Sequence, residues 1–66
     1  MNTLQFVRRN KKLSQRGLAE KSGLKLRLIQ MLESKDKAIN KTAAINVYKL
    51  SQALECNMCD LIERED

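Results

Sequence analysis

The sequence has no proline, no tryptophan and no histidine, and only one tyrosine, one phenylalanine and two cysteines in 66 residues. Each shortage excludes something. A small all-β domain packs on aromatic and β-branched residues, so their scarcity favours helices built on Leu, Ile, Val and Ala. Two cysteines cannot make a dense disulfide framework, so the core must hold without staples. Cys56-Asn-Met-Cys59 has the C-x-x-C spacing but not the βαβ surroundings of a thioredoxin-type site. Without histidine it also has no second ligand pair for zinc. No nucleophile–base pair is in view, and neither catalytic residues, cofactor nor metal are expected. No apolar run approaches the length of a membrane span and none follows Met1, so the reading is a cytoplasmic chain without membrane contact. Asn40-Lys-Thr42 then matches a glycosylation acceptor by chance.

What the chain does have is charge, unevenly placed. The net charge is +5 and the pI about 9.6. Residues 1–41 hold eleven Lys/Arg against three Asp/Glu, whereas residues 42–66 hold two against five. Either a basic face meets a polyanion while the acidic end does something else, or the surface is unevenly solvated. Charge alone does not choose between them. The length allows a single domain over residues 1–66, with no room for a second core.

Leu4 and Val7, with Phe6 beside them, mark a first helix capped by Asn2 or Thr3. Ser14 caps a second, Gln15 to Ser22, which buries Leu18 and Ala19, with Leu13 and Leu18 placed as a hydrophobic staple. Gly23 ends it in a tight turn. The next stretch, Ser22 to Glu33, is ambiguous. Leu24, Leu26 and Leu28 alternate with Lys25 and Arg27 as in a strand, yet Leu24, Leu28, Ile29 and Leu32 also form a helical stripe. Gln30 to Glu33 break the alternation, and the composition is rich in helix formers. The segment is therefore read as a third helix, Lys25 to Glu33, with Leu28, Ile29 and Leu32 inward and Lys25, Leu26, Arg27 and Gln30 outward. Met31 is read as core or interface filler. Ser34 to Lys41 reads as a polar loop. Thr42 caps a fourth helix with the stripe Val47, Leu50, Ser51 and Leu54. Asn57 caps a fifth, Met58 to about Arg64, burying Leu61 and Ile62. The expected fold class is all-α, five short helices around one core.

The middle of the chain follows one grammar. From Gln15 at a helix start, Ala19 stands four on, Gly23 eight on, Leu24 nine on, Ile29 fourteen on and Leu32 seventeen on. Two steeply crossing helices need a small residue where they touch, a glycine at the turn, and apolar residues in the wedge. That is the helix-turn-helix layout, here over about residues 15–34. Leu13-Ser-Gln15, Leu18-Ala-Glu-Lys-Ser-Gly-Leu24, Ile29, Leu32-Glu33, Lys49-Leu-Ser-Gln-Ala-Leu54 and Cys56-Asn-Met-Cys-Asp-Leu-Ile62 together resemble the Cro/C1-type (XRE) helix-turn-helix family of bacterial and phage regulators. The resemblance spans Leu4 to Ile62.

That resemblance implies a lambda-repressor-like domain that binds double-stranded DNA in a sequence-specific way, acts as a repressor and pairs as a homodimer. It implies that Gln15 clamps a phosphate and braces a base-reading side chain, and that Cys56 fills a small apolar core position. Cys59 begins the last helix. The candidate base readers are Lys25, Leu26, Arg27 and Gln30. The Arg27 fork suits guanine, the Gln30 amide suits adenine, and Leu26 suits a thymine methyl or a partner protein. Phosphate contact or plain solvation is the alternative for each. Arg8, Arg16, Lys35, Lys37 and Lys41 join Gln15 as phosphate candidates, with Arg9, Lys11 and Lys12 nearby, and Lys21 is read as solvated. The sequence departs from the family pattern at Gly17, where a glutamate is usual, and at Leu28, Gln30 and Lys35. Its loop to the fourth helix is also longer. A rival reading is an antitoxin-like module that neutralises a partner protein. There the acidic end (Asp60, Glu63, Glu65 and Asp66, beside Leu61 and Ile62) is the docking surface.

Overall fold

The computed structural model describes residues 2–64. Four α-helices form: α1 (Thr3–Asn10), α2 (Gln15–Ser22), α3 (Leu26–Ser34) and α4 (Ala44–Leu54). Two short 3-10 turns, Ala38–Lys41 and Met58–Asp60, complete the list, and no strand occurs among the described residues. The class is all-α as expected, but the fifth helix is a single 3-10 turn.

Local chemistry sets the boundaries. Asn2, not Thr3, caps α1, and its side-chain oxygen accepts the Gln5 N–H at 3.0 Å. Its amide also donates to the Leu32 carbonyl at 2.8 Å, which ties the start of α1 to α3. Ser14 caps α2 by accepting the Gly17 N–H at 2.8 Å. Gly23 is left-handed (φ 76°) and returns its N–H to the Ala19 carbonyl. An L side chain is strained in that conformation, so the glycine is what lets α3 start three residues later, at Leu26. The stretch of double periodicity is helical from Leu26. Lys25 stays extended and occupies the N-cap without a side-chain bond.

Two expectations fail further on. Thr42 does not cap α4. Ala43 holds that position, and the Thr42 hydroxyl accepts from the Asn46 amide at 3.0 Å. The last helix stops at Asp60, and only Leu61 of the expected pair is buried, whereas Ile62 is 45% exposed. The cause is tertiary. Glu63 donates its N–H to Asn40 Oδ1 (2.8 Å) and accepts from Asn40 Nδ2 (2.6 Å), and its carboxylate accepts the Lys37 N–H (3.1 Å). These bonds hold the chain extended against the 34–41 loop. The same contacts engage one carboxylate oxygen of half-buried Glu63, an acid of the rival reading's docking surface. Glu65 and Asp66 lie outside the described residues. The 34–41 loop is itself anchored, because Ile39 is fully buried in its 3-10 turn.

α2 packs against α3 on one side and α4 on the other. Leu18, Ile29, Leu32, Leu50 and Leu54 are fully buried where these helices meet, with Ala19 also buried on α2. The inward residues of α3 are thus Ile29 and Leu32, with Leu28 half-buried against the same core.

Glu55 ends α4 in the left-handed conformation at φ 56°. Its carboxylate lies 4.0 Å from Lys21 Nζ, with both side chains exposed, a pair of little worth in water. Glu55→Gly should therefore raise stability by about 0.5–1 kcal/mol through relief of backbone strain. The urea midpoint reads this, and a lower midpoint would mean that the ion pair outweighs the strain.

Candidate nucleic-acid interface

At 100° per residue, Leu26, Gln30, Ser34, Arg27 and Met31 fall in that order across an arc of about 140° on α3. Leu28, Leu32, Ile29 and Glu33 fill the rest. Burial follows this arithmetic. Arg27, Gln30, Met31 and Ser34 are exposed, and Leu26, at the edge of the arc, is half-buried against the core. Lys25 is exposed just before the first turn. The helix thus carries a polar centre, Arg27 and Gln30, between two apolar margins.

A buried ionic knot holds this face in place. Arg8 Nε donates to Glu33 Oε2 at 2.6 Å and Nη2 donates to Oε1 at 3.0 Å, while Nη1 donates to the Leu13 carbonyl at 2.8 Å. Gln15 Nε2 adds a fourth bond, to Glu33 Oε1 at 2.9 Å. The Arg8 and Glu33 side chains are only 9% and 3% exposed. A bidentate pair with every nearby acceptor satisfied is what makes such a burial tolerable. Arg8 was expected among the phosphate partners. That expectation is corrected, because its guanidinium is turned inward to neutralise Glu33.

The other candidates lie around α3. Gln15 is half-buried, pinned by Glu33 at the first turn of α2, where N–H groups lack helical partners and suit an anion. Arg16 is exposed and lines a shallow depression with Leu24 and Leu26. Lys35 and Lys41 line a second depression of about 560 Å³ together with Met31, Asp36 and Ala38. Lys37, half-buried between them in the chain, has a left-handed backbone and its N–H is engaged by Glu63. Arg9, Lys11 and Lys12 are exposed at the end of α1 and in the turn after it.

Sequence reasoning missed Glu33 as the organiser, although the signal was present. It is one of three acids in the basic first 41 residues and directly follows a core leucine. It also missed Met31, which the helical arithmetic that turns Gln30 outward places on the same face. Both cysteines are free, Cys56 half-buried and Cys59 exposed. Burial first, and then the Asp60 charge, push the Cys56 thiol up, against a smaller pull down from Lys11. No cluster able to hold a metal ion occurs among the described residues, and no helix there is long and apolar enough to cross a membrane.

Comparison with known proteins adds one finding. A family model described as helix-turn-helix matches residues 4–61. No curated protein and no solved structure matches the chain.

Two predictions follow from this geometry. Arg8→Met strands the Glu33 carboxylate and should cost about 3–5 kcal/mol in thermal unfolding, with most of it recovered in the Arg8→Met/Glu33→Leu double variant. A loss below about 1 kcal/mol would show that the knot is not structural. At neutral pH iodoacetamide should label Cys59 well before Cys56, whose thiol is shielded and held protonated. Peptide mapping that found equal rates would contradict this.

Proposed function

The chain belongs to the Cro/C1-type (XRE) helix-turn-helix family of DNA-binding transcription regulators, and from that premise we propose a sequence-specific repressor whose α3 lies in the major groove. One observation carries the reading. Arg27 and Gln30 stand exposed on a helix whose opposite side is core and whose orientation is locked by a buried ion pair. Arg27 forks onto guanine O6 and N7, and Gln30 pairs with adenine N6 and N7. Gln15, Arg16, Lys35 and Lys41 take the flanking phosphates, and Lys25 sits where α3 enters the groove. Residues 15–34 are the reading unit of a single domain over 1–66.

The proposal extends to a homodimer on two half-sites about one helical turn apart. Ile45 and Tyr48, three apart and exposed on α4, support it, as does exposed Ile62. They are apolar side chains open to a second copy. Promoter occupancy then blocks transcription. An antitoxin-like role would use the same apolar residues for a different protein. Purification from the native host would favour that role if it gave a stoichiometric partner and no operator enrichment.

In vitro selection of bound DNA tests the reading. Arg27→Ala and Gln30→Ala should each degrade the motif at defined positions, costing about 1–3 kcal/mol there. Lys41→Ala should weaken all sequences alike and lower the salt slope by about 1. Equal affinity for every sequence across a salt series would end the proposal.

A further inference from the structure

We propose that Met31 is a specificity-determining residue that reads the C5-methyl group of a pyrimidine in the major groove. This inference rests on the DNA-binding reading above. Three observations carry it. Met31 is 38% exposed, while the other apolar side chains of α3 are half-buried or fully buried. It stands one turn beyond Arg27 and directly after Gln30, on the arc that faces away from the core. It also lines the same depression as Lys35 and Lys41, whose ammonium groups suit the backbone phosphates on either side of a base edge. Asp36 lines that depression too, so the pull on the backbone comes from two cations against one anion.

The chemistry narrows the target. A thioether makes no strong hydrogen bond and cannot take part in the bidentate pairing that Arg27 and Gln30 supply. The pyrimidine methyl is the one apolar feature on the major-groove edges. Met31 is unbranched and polarisable, so it can follow that methyl without a fixed rotamer. The side chain is exposed in the free protein, and the contact takes both apolar groups out of water. Burying one methyl corresponds to about a fourfold gain in affinity.

The methyl belongs either to thymine or to 5-methylcytosine, and one experiment separates these. The full chain is titrated by fluorescence anisotropy against its selected operator. Each thymine is replaced in turn by deoxyuridine, which removes only the methyl, and each cytosine in turn by 5-methylcytosine. The expected result for thymine is one position per half-site where deoxyuridine weakens binding about fourfold. The expected result for 5-methylcytosine is one position where methylation strengthens it to the same degree. Either effect should vanish in Met31→Ala, whose fold is checked by circular dichroism. The inference is overturned if every replacement leaves affinity unchanged, or if the effect persists in Met31→Ala. If the chain prefers no sequence over bulk DNA, the DNA-reading proposal fails along with it. A sequence-specific protein indifferent to the methyl refutes the Met31 inference alone.

Discussion

A single carboxylate, that of Glu33, fixes the relation between three helices. It sits at the end of α3 where the apolar stripe meets the start of α1 and α2, nearly sealed from water. A bare charge there would cost several kcal/mol. Arg8 from α1 and Gln15 from α2 both converge on it, and Arg8 gives a third bond to the Leu13 carbonyl between them. Rotating α3 by one residue, or sliding it by one turn, would break these bonds to Arg8 and Gln15. The knot therefore contributes position more than net stability. The leucine core alone would tolerate neighbouring orientations, since apolar contacts are not directional.

That constraint gives meaning to the opposite side of α3. With Ile29, Leu32 and Glu33 committed inward, Arg27, Gln30 and Met31 are left facing out. The loop that follows is stiffened by Ile39 in the core and by the Asn40–Glu63 bonds, so Lys35 and Lys41 hang from an ordered frame beside the same face. A face built on rigid elements can discriminate between bases, because a misplaced bidentate contact forfeits most of its value. Lys25 and Arg16 lie near its other margin, at the entry to α3 and on α2. Arg16, Lys25, Arg27, Lys35 and Lys41 thus gather around one helix, whereas the charge of Arg8 is consumed internally and Lys21 lies beside Glu55 at the end of α4.

Much of the fold was legible because it follows from local rules. Ser14 and Gly23 bound α2 as cap and left-handed stop, Leu18 and Ala19 face inward, and the 3.6-residue stripe of α4 is buried at Val47, Leu50, Ser51 and Leu54 as expected. The errors share one physical origin. Ile39 is the one large apolar residue in a charged loop with no periodicity around it, and only its distant neighbours make it core. The chain after Asp60 has helical composition, yet two bonds to Asn40 and one to Lys37 outcompete a marginal final turn. Arg8 looks like any other surface cation in a basic run, and nothing local reveals a partner twenty-five residues away.

By itself, then, the sequence determined the helical class, the turn at Gly23 and the composition of α3. Caps, glycines and hydrophobic period act over a few residues. Only the tertiary structure decided which charges are free. It turned Arg8 and Glu33 into a buried pair, tied Glu63 to the loop and left Arg27, Gln30 and Met31 in the open. Pairing between residues far apart in the chain depends on packing, and packing exists only once the helices have met.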